Sequence, residues 1–268
     1  MTLKLAIAGV AGRMGRTLVS AASSADDLEV VGGTERPGSG ELGQDPGVLA
    51  GISPLGFDSV VSAQEAGKAA DVWIDFTSPV STLEALDALS TTTVRAVIIG
   101  TTGFNDAEEA ALRKHAERFV IVKAGNFSLG VNLLGALVEQ AAARLGDDWD
   151  IEILETHHRR KVDAPSGTAL LLGEAAAKGR GADLSELRTP PYDGITGARE
   201  PGRIGFSVRR SGGVIGDHEV TIASDDEILT LQHTAMNRFI FANGALQACR
   251  WTAKQSPGFY SMRDVLNL

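Results

Sequence analysis

Lys4-Leu-Ala-Ile-Ala-Gly9-Val-Ala-Gly12-Arg13-Met14-Gly15-Arg16 decides the fold. It opens as an apolar run short enough for one buried strand, and glycines then recur at every third position. Beyond Gly15 the apolar residues Leu18, Val19 and Ala22 return at helical spacing. A strand, a glycine turn and a helix in succession open the phosphate-binding half of a dinucleotide fold. The first glycine permits the tight turn, the second lets a pyrophosphate approach the backbone, and the third lets the helix pack on the strand. The spacing is Gly-x-x-Gly-x-x-Gly rather than Gly-x-Gly-x-x-Gly, and glycines also end strands for purely structural reasons, so the motif needs support from the residues after it.

Leu28-Glu-Val-Val-Gly-Gly33 reads as the next strand, with Thr34-Glu35-Arg36 at its end. In this fold an acidic residue there hydrogen-bonds the adenosine ribose, and an arginine suits a 2′-phosphate. Glu35 and Arg36 together predict use of both NADH and NADPH; the plainer reading is a solvated pair at a turn. Residues 37–57, with Pro37, Pro46, Pro54 and repeated glycines, read as a long surface loop. Val60-Val61 is a possible short strand. Asp71–Phe76, Val94–Gly100 and Phe119–Ala124 are strands too, and Asp71–Phe76 is apolar on both faces, as a parallel strand covered by helices needs to be. Helical patterns start at Thr77-Ser78-Pro79 and run from about Asp106 to Arg118; His115, among charged neighbours, reads as exposed and inert. Two of the strands end in Gly100-Thr101-Thr102-Gly103 and Gly125-Asn126-Phe127-Ser128, small hydrogen-bonding turns at the edge where open α/β sheets bind ligands. Alternation of this kind implies a Rossmann-like, doubly wound parallel sheet.

A second cluster follows a helix over residues 131–145. Asp150-Ile-Glu-Ile-Leu-Glu155 alternates like a half-buried strand, and Thr156-His157-His158-Arg159-Arg160-Lys161-Val162-Asp163-Ala164-Pro165-Ser166-Gly167-Thr168 leads into a helix over 169–178, with Ser166 or Thr168 near its N-cap. Helix-start N–H groups are unpaired and carry the positive end of the dipole. With His157, His158 and Lys161 on the same loop, the segment suits a small, multiply anionic molecule and supplies groups that move protons. Lys161 reads as the main proton donor, because an ammonium beside a dianion stays charged. His157 reads as a supporting acid or base, and His158 with Gly167 and Thr168 as the carboxylate holders. A basic loop is more often solvated surface, but the helix start, Pro165 and Gly167 weigh against that. Arg199 and Arg203, in the Gly- and Pro-rich stretch 179–202 and just after it, either help hold carboxylates or are solvated, and the solvated reading is preferred. From Ile204 the pattern is of antiparallel hairpins over 204–210, 219–223 and 227–233, giving an α+β domain with an open mixed or antiparallel sheet. His218 and His233 read as structural. An open sheet needs cover, and self-association commonly supplies it.

The totals agree with an enzyme. Of 268 residues 43% are hydrophobic and 22% charged, and a net charge of −9 argues against general nucleic-acid binding. No apolar run approaches the roughly 20 residues of a membrane span, and the opening residues do not follow a signal-peptide plan, so a cytoplasmic location is expected. The single Cys249 excludes an internal disulfide and a multi-cysteine metal site; no metal is expected, and the thiol reads as buried and structural.

Glu155-Thr-His-His-Arg-Arg-Lys-Val-Asp-Ala-Pro-Ser-Gly-Thr-Ala169 resembles the signature of the dihydrodipicolinate (4-hydroxy-tetrahydrodipicolinate) reductases of lysine biosynthesis. Arg238-Phe-Ile-Phe-Ala-Asn-Gly-Ala and Met262-Arg-Asp-Val-Leu resemble that family's tail, so the resemblance spans nearly the whole chain. It implies reduction of 4-hydroxy-tetrahydrodipicolinate, a small anionic heterocyclic dicarboxylate, to tetrahydrodipicolinate with loss of water, by NADH or NADPH. It implies cofactor contacts at Gly9, Val10, Ala11, Gly12, Arg13 and Met14, at Gly100, Thr101 and Thr102, and at Ala124, Gly125, Asn126 and Phe127, with Glu35 and Arg36 at the adenosine ribose. Gly125 stands where many relatives have alanine. The resemblance further implies a dinucleotide domain of residues 1–128 completed by 238–268, a substrate and oligomerisation domain of 129–237, and a homotetramer. Three alternatives remain from the residues: another NAD(P)-dependent reductase of a small carboxylate, a non-catalytic NAD(H) sensor, and a catalytically dead structural homologue, against which the intact His157-His158-x-x-Lys161 loop stands. Against the first two stand the late position of Cys249 and the lack of a basic helix-turn-helix pattern.

Overall fold

The apolar runs become strands in the computed structural model, which describes residues 2–268. The first segment runs β1 (Leu3–Ala8), α1 (Arg13–Ser23), β2 (Leu28–Thr34), α2 (Pro46–Leu49), α3 (Ala63–Ala66), β3 (Val72–Asp75), α4 (Pro79–Leu89), β4 (Ala96–Ile99), α5 (Asp106–Lys114) and β5 (Val120–Lys123). Next come α6 (Leu129–Ala142), β6 (Asp150–His157), α7 (Gly167–Gly179), α8 (Leu184–Leu187), β7 (Ile204–Arg210), β8 (Asp217–Ala223) and β9 (Ile228–Thr234). The chain closes with α9 (Phe239–Thr252), β10 (Gly258–Tyr260) and α10 (Met262–Leu266). Residues 2–128 and 239–267 form one unit, and residues 129–238 another.

The first unit is a parallel six-stranded sheet in the order β10-β5-β4-β3-β1-β2. Every residue of β3 and β4 is buried, so each strand presents apolar side chains to helices on both faces. Each fully buried Ile or Leu contributes about 1.5–3 kcal/mol, and this layer supplies the unit's main core. The chain leaves β1 towards β2 and returns to the other side of β1 with β3. That reversal opens a crevice at the carboxyl ends of β1 and β3, where the glycine turn lies. The tail belongs here: β10 pairs with β5, and α9 packs against α1 and β4. Cys249 of α9 is fully buried, and burial pushes its thiol far above the usual range.

Two expectations need correction. The stretch 37–57 is not a plain loop. The Asp45 carboxylate accepts from the N–H groups of Gly47, Val48, Leu55 and Gly56, which caps α2 and gathers the segment around one side chain. His115 is half-buried rather than exposed, in a 3-10 turn that ends α5, with its Nε2 3.6 Å from Asp87. Val60 forms only a single bridge, to Thr34.

The second unit packs α6 and α7 on one face of a mixed sheet ordered β7-β6-β8-β9. β7 does not form a hairpin with β8, as its sequence position suggests. It pairs in parallel with β6, which lies between them, and only β8 and β9 form a hairpin. The burial patterns explain the order. β6 carries an inward residue at every second position along its length and takes the centre; β7 is exposed over its second half and takes the edge. Arg199 is not solvated. It pairs with Asp150 (2.8 Å) and Glu152 and donates to the carbonyls of Ile151 and Arg203, pinning the 189–203 segment.

Candidate active site

In the first unit, Gly9 turns at φ +64°, in the left-handed region that favours glycine. A Cβ on Gly15 would lie 2.1 Å from the Gly9 carbonyl oxygen, so the close approach of α1 to the turn demands glycine there. Gly12 is the N-cap of α1, whose first turn has neither a capping side chain nor an acidic residue. The positive end of the helix is thus left to an outside anion. Glu35 reaches over the turn: its Oε2 accepts from Ala11 N (3.2 Å) and its Oε1 from Arg36 N (3.0 Å). The turn, the open helix start and the placed carboxylate fit a nicotinamide dinucleotide: pyrophosphate at Gly12-Arg13-Met14, ribose at Glu35.

Not every expected cofactor residue offers its side chain. Val10 is wholly buried, and Phe127 packs its ring against Phe76 with centroids 5.4 Å apart, so both have only backbone to offer. The buried Thr101 hydroxyl accepts from Thr77 N (2.9 Å) and donates to Asp75 (3.0 Å), which fixes the turn after β4. Thr102, Gly125, Arg13 and Arg36 are exposed; Asn126 Oδ1 accepts from Ser128 N (2.8 Å). One residue was missed. Arg16 donates from Nε to the Ala11 carbonyl (2.7 Å) and from Nη1 to Leu49 (2.9 Å), tying the glycine turn to the 37–57 segment. Its place right after the third glycine was the available signal.

In the second unit, alternation along β6 puts Ile151, Ile153, Glu155 and His157 on the helix-covered face. The inward row therefore changes from apolar to ionisable towards the strand's carboxyl end. His157 lies on the strand, and only His158 onward is loop. The Glu155 carboxylate, 1% exposed, takes four donors. Arg210 binds both oxygens (2.8 and 2.9 Å), His157 Nδ1 lies 2.5 Å from Oε2, and Ser166 N donates to Oε1 (3.0 Å). Burial alone would raise Glu155, but the hydrogen bonds from Arg210 and His157 hold it below the usual range. Ser166 caps α7 by accepting from Ala169 N (3.1 Å), and its Oγ lies 3.0 Å from His218 Nε2. His218 meets His157 edge to face at 5.1 Å. Burial first, then the neighbouring His157, pushes His218 down to about 4, so it is neutral at ordinary pH.

The loop residues surround this core. Lys161 Nζ pairs with Asp163 at 2.9 Å, and that hydrogen bond lowers Asp163. His158 is lowered by desolvation, then by Arg160, Arg238 and His157. Gly167 is exposed with no heavy atom within 4 Å of a Cβ position, so space at the start of α7 is open to a ligand. Thr168 follows it in the first helical turn. The structure thus joins His157 to Glu155, Arg210, Ser166 and His218. Of these partners, Arg210 and His218 come from β7 and β8, and no spacing in the sequence points to them. Chemically the cluster sets cationic side chains and an open helix start beside ionisable groups, an arrangement able to hold an anion.

Models of known families match almost the whole chain: "Dihydrodipicolinate reductase, N-terminus" over residues 3–127 and "Dihydrodipicolinate reductase, C-terminus" over residues 130–266. A 4-hydroxy-tetrahydrodipicolinate reductase of Parvibaculum lavamentivorans is 51% identical over 267 residues, 99% of this chain and 98% of that protein. One from Allorhizobium ampelinum is also 51% identical, with the same coverage. Among solved structures, a dipicolinate-bound dihydrodipicolinate reductase from Paenisporosarcina superposes with a TM-score of 0.76 at 26% identity, covering 97% of this chain and 98% of that one.

Proposed function

The chain belongs to the dihydrodipicolinate reductase family, and from that membership we propose how its residues divide the work. The protein is an oxidoreductase that reduces 4-hydroxy-tetrahydrodipicolinate to tetrahydrodipicolinate, with loss of water, in lysine and diaminopimelate biosynthesis. It uses NADH or NADPH, which when bound supplies a hydride to an electrophilic ring carbon.

The first unit holds the cofactor through Gly9, Val10, Ala11, Gly12, Arg13 and Met14, through Gly100, Thr101 and Thr102, and through Ala124, Gly125, Asn126 and Phe127. Glu35 and Arg36 hold the adenosine ribose and admit either nucleotide. The second unit holds the substrate: His158, Gly167 and Thr168 bind the ring carboxylates by charge and by helix-start N–H groups. Reduction leaves a carbanion or enamine that needs a proton. Lys161 donates it, and His157 acts as the supporting acid or base. The observation that carries these roles is a lysine and a buried, carboxylate-bound histidine on one segment that ends at an open helix start. No helix of the described residues is long and apolar enough to cross a membrane. We place the protein in the cytoplasm, as a homotetramer joined through the second unit's sheet.

The test is oxidation of reduced nicotinamide on mixing with substrate made in place by the preceding condensation of pyruvate with aspartate semialdehyde. Lys161→Ala is expected to slow turnover by about 10²–10⁴-fold, the usual yield of a positioned acid, with cofactor affinity unchanged. A variant within a few-fold of wild type would overturn the role. A wild-type protein that binds NADH but shows no oxidation would favour another reductase substrate.

A further inference from the structure

We propose that Glu155 is a positioning residue for the reaction, fixing His157 as its Nδ1–H form and aiming Nε2 at the substrate. The proposal rests on the reading of His157 as a proton-transfer group. An ionised carboxylate only accepts, so a carboxylate oxygen 2.5 Å from Nδ1 requires the proton to sit on Nδ1. Arg210 keeps that carboxylate ionised despite its burial. Nε2 is then the nitrogen that gains and loses a proton. A Cβ on Gly216 would come within 3.1 Å of Nε2, so glycine at that position keeps this nitrogen clear of a side chain.

The surroundings of His157 agree from each neighbouring element. Glu155 lies on its own strand, Arg210 on β7 and His218 on β8, while His158 and Lys161 follow it on the loop. His218 stays neutral and adds no charge beside His157. The same carboxylate accepts from Ser166 N, and Arg210 also donates to the Asp163 carbonyl (2.7 Å). One buried side chain therefore orients the proton carrier and anchors the residue that caps α7.

A purely structural role would be to neutralise Arg210, and one comparison separates the two. Glu155→Gln alone removes the charge but leaves Arg210 facing an amide. Glu155→Gln with Arg210→Met removes the pair and keeps the volume. If Glu155 positions His157, both variants lose at least tenfold in kcat with KM within a few-fold. In both, His157 leaves the Nδ1–H form, as read by ¹⁵N NMR of the imidazole. If the single variant does not fold, the double variant decides. Wild-type kcat in the double variant, or an unchanged tautomer of His157, would overturn the proposal. His157→Ala run in parallel tests the underlying reading separately: full activity there removes His157 from the chemistry, while the NMR result still reports what Glu155 does to it.

Discussion

At residue scale, His157, His158 and Lys161 were legible because they are contiguous with a helix start. His218 and Arg210 were not, because each reaches the cluster only through sheet register. Glu155 stands opposite His218 across β6 and β8, and His157 stands opposite Arg210 across β6 and β7. A strand pattern with no neighbouring ligand made His218 look merely structural, and its burial has a measurable consequence. A histidine held down to about 4 when folded, against 6.5 for the ordinary side chain, binds fewer protons folded than unfolded between those values. Its contribution is present above about pH 6.5 and is lost as pH falls through about 4. The lost stability is on the order of 3 kcal/mol at most. Wild type is expected to lose melting temperature steadily over that window, and His218→Gln to show a flatter profile from a lower starting point. Parallel melting curves for the two proteins would show that His218 is not the titrating group.

At element scale, short apolar runs and glycine punctuation specified β1, β3, β4, β5 and α1 well, because both faces of those strands are covered over most of their length and charged residues stand at or near their ends. The pattern failed where one side chain organises many backbone groups. Asp45 turns a Gly- and Pro-rich stretch into a bound segment, and Arg199 does the same for residues 189–203. It also failed for β7, since local alternation does not tell a strand which neighbour it will find. The α1 packing makes a clear prediction. Gly15→Ala places a methyl 2.1 Å from the Gly9 carbonyl oxygen, and backbone cannot swing away as a flexible side chain does. Such overpacking costs typically about 1–3 kcal/mol, and here α1 must lift from the turn proposed to hold the cofactor's pyrophosphate. Cofactor titration by fluorescence is expected to show NADH affinity at least tenfold weaker. Unchanged NADH affinity would mean that the third glycine is not what sets the turn.

At the scale of the whole molecule, the second unit's sheet is covered on one face only. Leu231 of β9 packs into the core with α6 and α7, so Ile228, Thr230 and Gln232, at alternate positions, point to the other face. Ile228 is 69% exposed there, and β9 is an edge strand exposed along most of its length. In the long segment pinned by Arg199, Ile195 is exposed as well. A monomer in water would leave both apolar side chains and the edge open, which supports the proposed association of copies through this sheet. The wild-type protein is therefore expected to scatter light as a particle near four times 28.1 kDa. Ile228→Glu puts a charge on the face proposed to associate, where desolvating it would be costly. That variant is expected to fall to smaller species at micromolar concentration, with NADH binding per chain unchanged because the cofactor turns lie in the first unit. A wild-type particle of a single chain's mass would remove the tetramer, and an Ile228→Glu tetramer would move the interface to another surface.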